Sequence, residues 1–138
     1  MDERKGAVEA LGITQQVGGG LFAPDPEFWN RRRVLVTGHS GFKGTWLTVW
    51  LHHLGADVAG LSLDRPSSPN MFDALAAEEL CHNTTGDICD REAVERTVQR
   101  FAPEVVFHLA AQPIVRVSYT DPLSTLQVNI QGMANVLE

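Results

Sequence analysis

The strongest constraint on the fold is one short segment. Val34-Leu35-Val36 runs into Thr37-Gly38-His39-Ser40-Gly41-Phe42-Lys43-Gly44. Three β-formers without polar alternation suit a strand buried on both faces, as in a parallel sheet. After the glycines, Trp46, Leu47, Val49, Trp50, Leu51 and Leu54 recur at helical spacing, and Gly55 marks the stop. A buried strand, a glycine-rich turn and an apolar-striped helix in that order open a β-α-β crossover.

The glycines are spaced G-x-x-G-x-x-G. Gly38 permits a tight turn off the strand. Gly41 lacks a Cβ, so backbone can approach a pyrophosphate. Gly44 lets the helix pack close to the sheet. The helix N-terminus then offers free N–H groups and a positive dipole end to phosphates. Dinucleotide binding is preferred to a purely structural turn. A P-loop is a poor competitor, because no Gly-Lys-Ser/Thr closes the motif. Lys43 either neutralises phosphate charge or is a solvated first-turn lysine. His39 either touches the pyrophosphate or ribose or is a polar filler.

The rest of the chain repeats the alternation. Asp57 to Leu63 reads as a second strand, 65–70 as a loop, and Met71 to Leu80 as a short helix. A third strand is placed around Asn83-Thr84-Thr85. Asp90 is a plausible N-cap for a helix to Phe101, with Ala93, Val94, Val98 and Phe101 as its stripe and Pro103 as its close. Val105 to Leu109 is another buried-type strand. Asp121-Pro122 pairs an N-cap with a proline at the first helical position. Leu123, Leu126, Ile130, Met133 and Leu137 carry that helix to Glu138, where the pattern stops without a cap, as in a truncation. The expected fold is α/β: a doubly wound parallel sheet, cut after about four strands, in order 3-2-1-4.

Residues 1–24 read as a mobile N-terminal arm, in which Gly18-Gly19-Gly20 ends any regular structure, and 25–138 as the partial domain. Pro24-Asp25-Pro26 gives a stiff entry, with Phe28 and Trp29 as apolar anchors. With 11 basic and 17 acidic side chains, net −6, the chain has no general attraction for nucleic acid or anionic membranes. Arg31-Arg32-Arg33 reads as a solvated strand entrance. Cys81 and Cys89 form no disulfide framework and no metal spacing. No apolar h-region follows the N-terminus, and no run is long enough to span a membrane, so a cytoplasmic protein is expected.

Asp64 ends the second strand, 20 residues after Gly44. A carboxylate there accepts hydrogen bonds from the adenine-side ribose hydroxyls and repels a 2′-phosphate, which favours NAD over NADP. Arg65 blunts this, since a guanidinium here could bind a 2′-phosphate. A loop ion pair between Asp64 and Arg65 is the plain alternative. Asp87 either reaches the adenine amino group, with Ile88 packed on the ring, or caps a turn.

Thr37-Gly38-x-x-Gly41-Phe42-x-Gly44, Gly86-Asp87-Ile88 and His108-Leu109-Ala110-Ala111-Gln112 together resemble the extended short-chain dehydrogenase/reductase family, with its nucleotide-sugar epimerases and dehydratases. Gly-Phe-Lys-Gly-Thr-Trp at 41–46 and Ala-Ala-Gln-Pro-Ile-Val-Arg at 110–116 narrow the resemblance to its CDP-glucose 4,6-dehydratase branch, over Phe28 to Glu138. The resemblance implies a Rossmann-type domain, bound NAD and a lyase reaction on CDP-glucose. Hydride leaves sugar C4, the C5 proton is acidified, water leaves from C6, and the hydride returns to C6.

It also implies roles. Gly38, Gly41, Phe42 and Gly44 hold the pyrophosphate region, Asp64 lies near the adenosine ribose, and Asp87 and Ile88 bracket adenine. Leu109, Ala110, Ala111 and Gln112 line the strand end beside the cofactor. Arg116 and Ser118 lie on a substrate-facing loop, where Arg116 meets sugar-nucleotide phosphate or forms a surface ion pair. Asn129 fixes that loop's backbone. The 121–138 helix is a candidate homodimer surface.

One departure is plain. The family's proton-transfer pair is Tyr-x-x-x-Lys. Tyr119 is the only tyrosine and is followed four residues later by Leu123; the lysines are Lys5 and Lys43. No residue is assigned a catalytic role, and the 138-residue chain alone is expected to turn nothing over.

Overall fold

A computed structural model of the chain describes residues 24–65 and 67–138. The expected N-terminal arm, apart from Pro24, lies outside the described residues. In chain order the elements are α1 (Pro26–Trp29), β1 (Arg33–Thr37), α2 (Phe42–His53), β2 (Asp57–Ser62), α3 (Met71–Ala74), β3 (His82–Thr85), α4 (Arg91–Phe101), β4 (Val105–His108), α5 (Val115–Thr120), α6 (Pro122–Leu126) and α7 (Met133–Leu137). The four strands form one sheet in order β3-β2-β1-β4, every pair parallel, as the sequence pattern predicts.

The centre of the sheet is dry. Val34, Leu35, Val36 and Leu61 have no exposed surface. Because side chains alternate across a strand, they feed two layers. Val34, Val36 and Val58 join Leu51 of α2 and Trp29 on one face. Leu35, Ala59 and Leu61 join Ile88 and Val94 on the other. Trp29 also packs on the Phe107 ring at 6.1 Å, so the Phe28-Trp29 segment does anchor the entry. It does so as a capped turn of helix, with Asp25 accepting from the Glu27 amide at 2.9 Å.

Four elements depart from expectation. The predicted 71–80 helix splits into α3 and a 3-10 turn (Ala77–Leu80), broken at Ala76, whose φ is +47°. Phe72 and Ala77 are both buried against Val49. Five residues apart on a continuous helix they would point about 140° away from each other, so the break brings both onto one cluster. In α2, Trp46 and Trp50 are exposed, while Thr45, Thr48, Val49 and Leu51 face the sheet. Residues 115–120, expected as loop, form α5.

The last helix starts as predicted. Asp121 accepts from the Ser124 amide at 3.1 Å, with Pro122 behind it. It then passes through a wide π-type stretch (Gln127–Gly132) into α7. Its predicted apolar stripe faces outward: Leu123, Leu126, Ile130, Met133 and Leu137 are all exposed. The inward face is built from Val128, Gly132, Asn135 and Val136. A Cβ on Gly132 would lie 2.5 Å from Ile88 Cδ1, and Asn135 donates to the Ile88 carbonyl at 2.8 Å. Close approach, rather than apolar bulk, decides which side docks. No described helix is long and apolar enough to cross a membrane.

Candidate cofactor site

In a parallel sheet all carboxyl ends lie along one edge, and ligands bind outside them where the strand order reverses. Here the reversal lies between β1 and β4, since β2 and β3 extend to one side of β1 and β4 lies on the other. Gly38 leaves β1 at this point with φ +73°. A Cβ there would lie 2.7 Å from the Ala110 nitrogen. The turn therefore sits against the backbone following β4 with no room for a side chain. A Cβ on Gly44 would overlap the Gly38 carbonyl and approach His39 Cα to 2.7 Å. One on Gly41 would be 3.3 Å from the same carbonyl. The three glycines form one cradle that any side chain would fill.

The other strand ends are tied to this cradle. The Gly38 amide donates to the Leu61 carbonyl at 2.8 Å, and the Gly86 amide to the Ser62 carbonyl at 2.8 Å. Ser62 donates to the Ser40 hydroxyl at 2.8 Å, and Ser40 to the Leu63 carbonyl at 3.4 Å. Asp64 projects just beyond, with its side chain 81% exposed. Asp87 accepts from the Cys89 amide at 2.9 Å, so it does cap a turn. Phe42 and Lys43 are exposed in the first turn of α2.

Beyond β4, Thr37 organises the chain. Its hydroxyl accepts from the Leu109 and Ala110 amides at 3.2 and 3.3 Å and lies 2.8 Å from His108 Nδ1. With two amides donating to it, the hydroxyl proton is left for His108 Nδ1. That contact favours a neutral imidazole, and burial likewise pushes the His108 pKa down. Asn129 closes a reciprocal pair with Gln112: the Gln112 amide donates to Oδ1 at 2.8 Å, and Nδ2 donates to the Gln112 carbonyl at 3.2 Å. Asn129 thus fixes the backbone at Gln112, ahead of the segment that carries Arg116 and Ser118. The Gln112 side chain is spent on Ile114 and Thr125. Ala111 is exposed beside it.

Two site residues point elsewhere than expected. The His39 ring is fully buried, edge-on to Phe72 at 5.2 Å, with Nε2 2.7 Å from Asn83 Oδ1. It occupies the space that a Cβ on Gly60 would need. Burial holds its pKa down, although the Asn83 hydrogen bond opposes this. The Ile88 side chain is likewise in the core, in the notch opened by Gly132. Only the backbone of these two residues remains to meet a ligand. Arg116 and Ser118 lie on α5 rather than a loop. Arg116 is exposed, and the Ser118 hydroxyl donates to the Val115 carbonyl at 2.7 Å. Among the described residues, no group of three His, Cys, Asp or Glu side chains is placed to hold a metal.

Thr37, Gly60 and Asn83 are the structural supports that sequence reasoning missed. Gly60 carried a signal, since an isolated glycine inside a strand marks a close approach.

A family model described as GDP-mannose 4,6 dehydratase matches residues 35–138. The chain belongs to this family. CDP-glucose 4,6-dehydratase of Salmonella typhimurium is 46% identical over 114 residues, which is 83% of this chain and 32% of that protein. A probable dTDP-glucose 4,6-dehydratase of Sinorhizobium fredii is 35% identical over 109 residues, 77% of this chain and 31% of that one. Among solved structures, UDP-glucose 4-epimerase of Thermus thermophilus in complex with NAD has a TM-score of 0.65 at 37% identity, covering 76% of this chain and 32% of that one. The chain spans about a third of the length of these family members. The likeness extends the Rossmann-type sheet to proteins solved with NAD.

Proposed function

We propose that this chain is the NAD-binding N-terminal part of a nucleotide-sugar 4,6-dehydratase acting on CDP-glucose. The observation that carries the reading is the glycine cradle at the strand-order reversal, where Gly38 and Gly44 leave no space for a Cβ and Gly41 leaves little. A pyrophosphate fits such a cradle through backbone N–H groups and the N-terminus of α2. Lys43, exposed in the first turn, adds positive charge there. Asp64 accepts the hydroxyls of the adenine-side ribose, and Asp87 meets the adenine amino group from its capped turn. Leu109 and Ala110, held by Thr37, form the wall of the nicotinamide side together with Ala111, with Gln112 fixing its far end.

Bound NAD supplies a hydride acceptor for sugar C4 and a hydride donor for C6. The protein's own share is to orient the two partners and keep them dry. Arg116 is the residue for the phosphates of the sugar nucleotide, a reading supported by its exposure on α5, and Ser118 lies half-buried on the same short helix. Moving the C4 hydroxyl proton calls for a tyrosine and lysine pair that these 138 residues do not contain. The chain by itself therefore turns nothing over. Steady formation of a 4-keto-6-deoxy sugar nucleotide by the purified chain would contradict this.

The substrate reading rests on the Salmonella relative and is tested by a chimera. Residues 28–138 replace the matching third of the Salmonella enzyme. The expected result is NAD-dependent turnover of CDP-glucose. A chimera that folds and binds NAD but leaves CDP-glucose untouched would overturn it.

The same reading includes a homodimer through 121–138. Leu123, Leu126, Ile130, Met133 and Leu137 recur at alternating intervals of three and four, the seam pattern of two packed helices. All five are exposed on the outer face. Sedimentation of the chain is expected to show dimers, and a single monomeric species at micromolar concentration would count against this surface.

A further inference from the structure

The cofactor reading leaves one residue unexplained: Arg65, next to the ribose-side Asp64. A free guanidinium at this place would attract a 2′-phosphate and work against Asp64. Each guanidinium nitrogen instead faces a carboxylate. Nη1 lies 3.5 Å from Asp64 Oδ1, Nε 3.1 Å from Asp73 Oδ1, and Nη2 2.7 Å from Glu78 Oε2. One cation among three carboxylates leaves the cluster net negative. The Arg65 guanidinium carbon also lies 5.5 Å from the centre of the buried Phe72 ring, which holds the side chain back against α3.

The two distal carboxylates are themselves fixed. Asp73 Oδ2 accepts from Asn70 Nδ2 at 2.6 Å, and the Asn70 side chain caps α3 by accepting from the Asp73 amide at 2.9 Å. Glu78 Oε1 accepts from Asn83 Nδ2 at 3.2 Å, and Asn83 Oδ1 meets the buried His39. The chain of contacts thus runs from the glycine turn through β3 to the ribose-side loop. The break at Ala76, with its left-handed backbone, lies between the two carboxylates.

We propose that Asp73 and Glu78 are specificity-determining residues: they hold and neutralise Arg65, so that Asp64 alone meets the ribose and a 2′-phosphate is refused. The proposal rests on the cofactor reading above and goes beyond it. Neither residue touches the cofactor; both are positioning residues that act through Arg65. Without them, the guanidinium is one residue from the ribose-binding carboxylate, on a side chain long enough to turn toward a phosphate.

The test is calorimetric titration of the 138-residue chain with NAD and with NADP. The unaltered chain is expected to prefer NAD. In the Asp73→Asn, Glu78→Gln double variant the preference narrows roughly tenfold, the scale of one additional charge-assisted hydrogen bond. The change lies on the NADP side, and adding Arg65→Ala abolishes it. An unchanged ratio in the folded double variant overturns the proposal, as does an improvement in NADP binding that survives Arg65→Ala. Should the double variant fail to fold because Asp73 supports the α3 cap, Glu78→Gln alone carries the test. It keeps the Asn83 contact and is expected to shift the ratio in the same direction; no shift there overturns the proposal. An unaltered chain that binds neither nucleotide overturns the cofactor reading itself, an outcome distinct from a bound NAD with an unmoved ratio.

Discussion

β1 and β4 are neighbours with similar sequences and different surroundings. Val34-Leu35-Val36 is sealed on both faces, whereas Val105-Val106-Phe107 is only partly covered and Val106 is 42% exposed. β1 pairs on both sides, with β2 and with β4. Among the described residues, β4 pairs with β1 alone. The helices that follow it in the chain, α6 and α7, turn their large apolar side chains outward. One half of the molecule is a finished core that holds the glycine cradle. The other presents apolar surface of the kind that marks an interface. An apolar run thus reports what a strand is suited to be buried by, not what covers it.

Damage to the cradle should have the largest effect on the finished half. Gly44→Val drives a side chain into the Gly38 carbonyl. It is expected to destabilise the chain by about 4 kcal/mol, since backbone cannot yield as a flexible side chain can. Urea unfolding of the variant measures it, and a loss under about 1 kcal/mol would mean the turn is not packed as described.

A pair of truncations then sets the two halves side by side. Leu61→Ala in the sealed centre is expected to cost about 3 kcal/mol, and Val106→Ala under about 1 kcal/mol. Equal losses in denaturant melts would show that β4 is covered after all.

A smaller effect comes from pH. His39 and His108 are both held below the ordinary value of 6.5, each by burial first. The unfolded chain therefore takes up protons before the folded one does. Stability is full above about pH 6.5 and falls as the pH drops below it. His39→Gln would reduce that slope in a melting-temperature series, and an unchanged slope would place the titration elsewhere. The smallest effect is expected on the outer face. Ile130→Glu should change monomer stability by no more than about 0.5 kcal/mol while dissociating the proposed dimer in sedimentation. A large loss of stability would put Ile130 inside the fold.

Much of this is legible in the residues. The strand order follows from the alternation of buried-type strands and helices, and Asp90 and Asp121 mark true helix starts through caps that act within three residues. Three misreadings share one cause, contacts distant in sequence. His39 reads as a loop side chain because the gap that admits it is at Gly60. The last helix reads inside out because Leu and Ile outweigh the face that docks. That face is set by Gly132 against Ile88 and by the Asn135 hydrogen bond. The break at Ala76 depends on a third element, α2, which receives Phe72 and Ala77 together. Glycines carry the most information, because each marks a place where another part of the chain, or a ligand, must come close.

The cofactor reading turns on whether the finished half holds NAD in the cradle of Gly38, Gly41 and Gly44. Calorimetric titration of the 138-residue chain with NAD decides this, with Gly41→Val as the comparison, because a Cβ there meets only the Gly38 carbonyl, at 3.3 Å, and the variant is expected to fold. The expected result is saturable binding at one site by the unaltered chain and its loss in the variant. Absence of heat and of thermal protection in the unaltered chain, or equal binding by a folded Gly41→Val, would contradict the cradle as the cofactor site.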